Sequence, residues 1–154
     1  YSRPETGNHI LIGSEDPECD ERIFVDPDNW DENFTDQWQT QVLRQAQRYP
    51  DLPISNNVKG VVSLYDVTDD WIPIYDKSDL PGFYMAIGTS GNQFKNAPVA
   101  GVLMSELIEY CENGNNHDKE PLKINLKYIN KDINLKFYSR NRQINEESSM
   151  SVLG

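Results

Sequence analysis

The first residue whose setting could do chemistry is a single lysine among glycines. Lys95 ends the run Gly88-Thr89-Ser90-Gly91-Asn92-Gln93-Phe94-Lys95, which joins a short apolar stretch to the start of a helical pattern. Gly88 and Gly91 let backbone approach a planar or anionic group, and the first turn of a helix directs unpaired N–H groups outward. A lysine there opposes the helix dipole, a local cost that binding a carboxylate would explain. A solvent-facing lysine on a tight strand-to-helix connection explains the spacing equally well, and the loop is not a GxGxxG dinucleotide motif. The other reactive side chains form no nucleophile–base–acid set. His9 opens an apolar run, His117 lies in a polar, flexible-looking segment, and both read as structural. Cys111 falls on a helical apolar stripe far from Cys19, which predicts core packing and reduced thiols in a cytoplasmic setting. Glu15, Asp16, Glu18, Asp20 and Glu21 crowd together but lack the glycine and terminal glutamate of a calcium loop, so they read as a solvated surface.

The elements that position the loop follow from periodicity. His9-Ile10-Leu11-Ile12-Gly13 reads as a buried strand that pairs with Tyr1 to Arg3 across a turn at Thr6-Gly7-Asn8. Thr35 is an N-cap with Asp36 in the first turn. Trp38, Val42, Leu43, Ala46 and Tyr49 then recur at helical spacing until Pro50, predicting a helix over 36–48. Val58 to Tyr65 alternates as a strand. Asp66, Asp69 and Asp70 make a polar corner, and Trp71 to Tyr75 is a second short strand at an edge, because Pro73 lies within it. Gly82 opens the strand that leads into the glycine loop. Asn96 as N-cap, Pro98 in the first turn and Gly114 at the end bound a second helix with Val99, Val102, Leu103, Leu107, Tyr110 and Cys111 on its apolar stripe. Gly101 inside that helix costs about 1 kcal/mol relative to alanine, which predicts close approach by another backbone or a ligand. Leu122 to Ile129 alternates weakly, Leu135 to Tyr138 reads as extended, and Asn141 to Gly154 has little to bury.

Composition excludes whole classes of partner. Fourteen Lys and Arg against 25 Asp and Glu leave a net charge of −11, the wrong sign for a nucleic-acid backbone or an anionic membrane. The hydrophobic fraction is 37% and the mean hydropathy −0.69, so the core is small beside the polar surface. No apolar run approaches a membrane span, and Tyr1-Ser2-Arg3-Pro4-Glu5 reads as the middle of something longer, a fragment.

Two stretches carry a family resemblance. Gly60 to Ile74, with Tyr65, Thr68-Asp69-Asp70 and Pro73-Ile74, resembles the active-site strand and Thr-Pro-Asp corner of FAD-dependent amine oxidoreductases. These are the sarcosine oxidase, glycine oxidase and dimethylglycine dehydrogenase group, with the D-amino-acid oxidase fold. Ile87 to Lys95, followed by Ala97-Pro98 and Gly101, resembles that group's Gly-x-Ser-Gly-His-Gly-Phe-Lys loop and helix, and Tyr1 to Gly13 is similar to a substrate-domain strand of its dehydrogenases.

The resemblance implies an α+β or α/β chain that is the incomplete C-terminal portion of a two-domain FAD-dependent oxidoreductase. It would comprise part of the mixed substrate-domain sheet plus the final strand-loop-helix of the FAD domain. The implied divisions are 1–66 in the substrate-binding domain, 67–114 as the return segment of the FAD-binding domain, and 115–154 as a tail. Gly88, Thr89, Ser90, Gly91, Asn92, Gln93, Phe94 and Lys95 would face the flavin. Lys95 would bind a substrate carboxylate and Tyr65 would stand in the active site of an enzyme oxidising a C–N bond. Asn92-Gln93 replaces the usual His-Gly. Ser63 stands where some members attach FAD through cysteine, so the cofactor would be non-covalent. No strand-GxGxxG-helix unit occurs in the sequence, which implies either that the chain is a fragment or that it assembles with a separate polypeptide carrying the N-terminal FAD-binding half, since alone it should not hold FAD tightly. A non-catalytic acidic binding module that keeps only the fold is the competing expectation, with a calcium-dependent surface domain as a third.

Overall fold

The computed structural model describes residues 1–13, 22–54 and 59–152. It forms a small α+β structure of two α-helices and three two-stranded antiparallel sheets, divided into two compact units, Tyr1–Leu64 and Tyr65–Gly154.

In the first unit, β1 (Ser2–Glu5) pairs with β2 (His9–Ile12) in the register Ser2↔Ile12 to Glu5↔His9 across Thr6-Gly7-Asn8. The pairing matches expectation, but β2 is only half-buried, since a lone hairpin can cover one face at most. Helix α1 (Asp36–Ala46) begins where Thr35 Oγ1 accepts the Trp38 N–H at 3.1 Å. Its buried residues are Val42 and Ala46, and the Trp38 ring stacks on Phe34 at 4.2 Å between centroids. The anticipated strand from Val58 to Tyr65 is not formed over the described residues Lys59 to Tyr65. Gly60 lies instead against the Phe34 and Trp38 rings. Alternation alone does not make a strand when no partner takes up the backbone groups. The acidic cluster from Glu15 to Glu21, with Cys19, lies outside the described residues, as does Val58.

The second unit is built on helix α2 (Ala97–Glu112). Leu103 and Leu107 are buried against Tyr75, Ile124 and Leu135, with Ala100, Met104, Cys111, Leu122, Ile133 and Tyr138 around them. Each fully covered leucine contributes about 1.5–3 kcal/mol. Strands β3 (Ile74–Lys77) and β4 (Tyr84–Ile87) form one hairpin, and β5 (Lys123–Leu126) and β6 (Lys131–Asn134) another. Two expectations change here. Leu135 to Tyr138 is a 3-10 helix, with the Asn134 side chain accepting from the Lys136 N–H, and not an extended piece. The α2 stripe also splits: Leu103 and Leu107 face the core, while Val99 and Val102 stay exposed.

The segment expected to have little to bury is tied down by polar bonds. Arg142 pairs with the buried Asp70 through Nη2 at 2.6 Å and Nε at 2.9 Å, and donates to the Ile72 carbonyl at 2.6 Å. Asp76, also buried, accepts from Ser139 Oγ, the Arg140 N–H and Arg140 Nη1. His117 does not sit in a flexible loop either: it is 1% exposed, and its Nδ1 accepts the Leu122 N–H at 3.2 Å. Nε2 therefore carries the proton. It has no hydrogen-bond partner and stands 3.8 Å from Asp76 Oδ1. Burial pushes the imidazole pKa down, so the ring is neutral.

Candidate functional site

The end of β4 runs into a turn that the side chain of Asp66 holds in place. Asp66 Oδ2 accepts the Gly88 N–H at 2.9 Å and the Thr89 N–H at 3.1 Å, Oδ1 accepts the Thr89 hydroxyl, and the Asp66 carbonyl accepts the Ser90 N–H at 3.0 Å. Burial acts to raise the Asp66 pKa, but the donors from Thr89 and Gly88 outweigh it and bring it below the ordinary carboxylate range. The turn needs such support because three of its residues have left-handed backbone, Gly88 at φ 68°, Ser90 at φ 49° and Gly91 at φ 74°. Ser90 is fully buried, with its hydroxyl donating to the Gly88 carbonyl. Glycine is required at position 91, where an added Cβ would come within 2.6 Å of the Tyr65 ring and 2.8 Å of Val152.

Past Gly91 the chain forms a 3-10 helix, Gln93–Asn96, that leads into α2. Neither Asn92 nor Asn96 caps its helix with a side chain; Asn96 Nδ2 donates to Gln93 Oε1 instead, so the predicted N-cap stands in the right place without its bond. Gln93 Oε1 also accepts the Tyr75 hydroxyl at 2.9 Å, and Gln93 Nε2 donates to Asn92 Oδ1. These contacts turn Gln93 inward, while Phe94 is 98% exposed and Lys95 is exposed with no ion-pair partner among the described residues.

Of the residues singled out from sequence, Tyr65 and the loop from Gly88 to Gln93 come together, with the Tyr65 ring beside Gly91. Phe94 and Lys95 point away from that packing and stand at the surface. The amides of Gly88 and Thr89, two residues that the resemblance sets facing the flavin, are taken by Asp66. Gly101 is met by no heavy atom within 4 Å outside its own helix, so this chain supplies no close approach there. A hollow of about 460 Å³ lies beside the β3–β4 turn and the end of α2, lined by Lys77, Phe83, Cys111 and Glu112 among others; none of the loop residues borders it. Among the described residues no group of three or more His, Cys, Asp or Glu could hold a metal ion.

Asp66 is the residue that sequence reasoning left in a generic polar corner. Its partners are backbone N–H groups at Gly88 and Thr89, which carry no mark in the sequence.

No curated protein and no solved structure matches the chain. The family model of FAD-dependent oxidoreductases matches residues 1–107, spanning β1, Asp66, the glycine loop and most of α2. That is well over half of the sequence, and the chain belongs to the FAD-dependent oxidoreductase family.

Proposed function

We propose that this chain supplies the flavin-facing loop and part of the substrate pocket of an enzyme that oxidises a C–N bond in an amine or amino acid. It belongs to the sarcosine oxidase-like group in this reading, and its residues fall into a substrate-binding part (1–66), a return segment of the FAD-binding domain (67–114) and a tail (115–154). The observation that carries it is the loop from Gly88 to Lys95 within the family match, with its left-handed turn and the exposed Lys95 at the uncapped start of α2.

The residues present fit FAD. The start of α2 would present the positive end of its dipole to an electron-rich ring edge. Phe94, Val99 and Val102 are exposed apolar side chains near the loop, and an N-terminal FAD-binding half would cover them in this reading. Non-covalently bound FAD would supply the two-electron acceptor for the C–N bond, leaving an imine for water to hydrolyse. Lys95 holds the substrate carboxylate and so orients the C–N bond, and the Tyr65 ring, fixed beside Gly91, walls the pocket.

Mixing the chain with a polypeptide carrying the dinucleotide-binding half should give flavin absorbance that amines bleach; no bleaching with any amine or amino acid counts against catalysis. In that assembly Lys95→Ala should lower kcat/KM for carboxylate-bearing substrates roughly 10- to 100-fold, the value of one charge-assisted hydrogen bond, and leave amines without a carboxylate unaffected. Unchanged kinetics would remove the carboxylate role and favour the non-catalytic binding module, for which the exposed Phe94, Val99 and Val102 are the supporting observation.

A further inference from the structure

We propose that Asp66 is the positioning residue of the flavin-facing loop, and that it acts through its hydrogen bonds and not through its charge. The proposal rests on the functional reading above and adds to it the residue that sets the loop's conformation.

The geometry is specific to the carboxylate. One oxygen receives two consecutive backbone N–H groups, Gly88 and Thr89, and the other receives the Thr89 hydroxyl. The backbone carbonyl of the same residue receives Ser90. Four bonds from one residue therefore fix the three positions that precede Gly91, two of which, Gly88 and Ser90, are left-handed and buried. Ser90 is the costly one, since a side chain disfavours that backbone region. The turn sets the direction in which the chain leaves β4, and hence where Gln93, Phe94 and Lys95 start α2. Tyr65 is the preceding residue, and its ring packs at Gly91. Asp66 thus ties both proposed site elements, the tyrosine and the loop, to one backbone position.

Asparagine and alanine separate hydrogen bonding from charge. In Asp66→Asn the amide oxygen can keep both N–H groups, while the amide nitrogen donates to the Thr89 hydroxyl oxygen. Asp66→Ala keeps only the backbone bond to Ser90. The test is NMR on the full chain assembled with the dinucleotide-binding polypeptide, with hydrogen exchange at Gly88 and Thr89 and FAD-induced shift changes at Gln93, Phe94 and Lys95 as readouts. Asp66→Ala should speed exchange at Gly88 and Thr89 at least tenfold and abolish the FAD-induced shifts, and Asp66→Asn should restore both to within about twofold of wild type. Asp118→Asn, which weakens the pairs to Arg140 and Lys77, controls for general loss of stability and should change neither. Wild-type FAD shifts that persist in Asp66→Ala would overturn the positioning role alone. Failure of Asp66→Asn to restore them would overturn the hydrogen-bond mechanism. A wild-type loop silent to FAD, even with the dinucleotide-binding polypeptide present, would overturn the flavin reading itself.

Discussion

Arg142→Ala is expected to destabilise the C-terminal unit by about 3–5 kcal/mol, the usual cost of stranding one member of a buried ion pair. Asp70 is 1% exposed, and Arg142 supplies its two charged side-chain donors from across the unit. The carboxylate keeps bonds from Thr68 Oγ1 and from the Ile72 and Asn145 N–H groups, but without the guanidinium it is a buried charge with no counter-ion. The loss extends beyond that pair. Arg142 also donates to the Ile72 and Ser139 carbonyls, and Ser148 Oγ bonds the Asp70 carbonyl, so the segment that ends at Val152 beside Gly91 depends on the same anchor. Urea titration followed by tyrosine and tryptophan fluorescence measures the change in midpoint. Asp70→Asn should cost less, since Asn retains acceptors for the backbone donors. A midpoint shift for Arg142→Ala no larger than for an exposed control such as Lys123→Ala would show that the pair carries no stability.

The same carboxylate sets the acid limb of stability. The Arg142 donors hold Asp70 well below the ordinary carboxylate range, and Arg140 and Lys77 bring Asp118 down to about 2. Both folded values are depressed, so the folded state binds fewer protons than the unfolded chain, whose carboxyls titrate near pH 4. The stabilisation is complete above that pH and drains away as pH falls through the folded values. Arg142→Ala should flatten this limb, because its wild-type reference advantage is already lost at neutral pH.

These anchors explain which parts of the molecule could be read from the sequence. Local signals were reliable: Thr35 before α1, Pro98 and Gly114 around α2, and Thr6-Gly7-Asn8 between β1 and β2 each specify geometry within a few residues. The glycine loop was legible for the same reason, since Gly88 and Gly91 mark its left-handed turns. The pairs that hold the C-terminal segment were not. Asp70 and Arg142 are 72 residues apart, and nothing in periodicity or composition distinguishes that arginine from a solvated one. Asp66 was hidden differently. Its function lies in accepting backbone N–H groups from Gly88 and Thr89, which every non-proline residue possesses, so no partner residue type announces it. Lys59 to Tyr65 was misread because alternation reports a face to bury and not the presence of a neighbouring strand.

Gly88→Ala is expected to cost about 2–5 kcal/mol, in two parts that a second substitution separates. At φ 68° a Cβ introduces the left-handed penalty of about 1–2 kcal/mol. That Cβ would also fall well inside contact distance of Thr68 Cγ2, with the Pro73 backbone 3.9 Å away, which adds an overpacking cost of about 1–3 kcal/mol. Thr68→Ser removes the offending methyl but keeps the hydroxyl that donates to the Ile72 carbonyl at 2.8 Å and to Asp70 Oδ1 at 3.1 Å. Alone it should cost about 0.5–1.5 kcal/mol, as for other single buried methyl deletions. In the double variant the clash vanishes while the backbone penalty stays, so Gly88→Ala measured in the Thr68→Ser background should cost only about 1–2 kcal/mol. A favourable coupling of about 1 kcal/mol or more in this cycle is the expected signature of contact between the corner after Asp66 and the glycine loop. Strictly additive costs would mean that Thr68 does not touch position 88. The same cycle read by FAD-induced shifts at Lys95 links packing to function: where Thr68→Ser restores stability to Gly88→Ala, it should also restore the direction in which the loop presents its lysine.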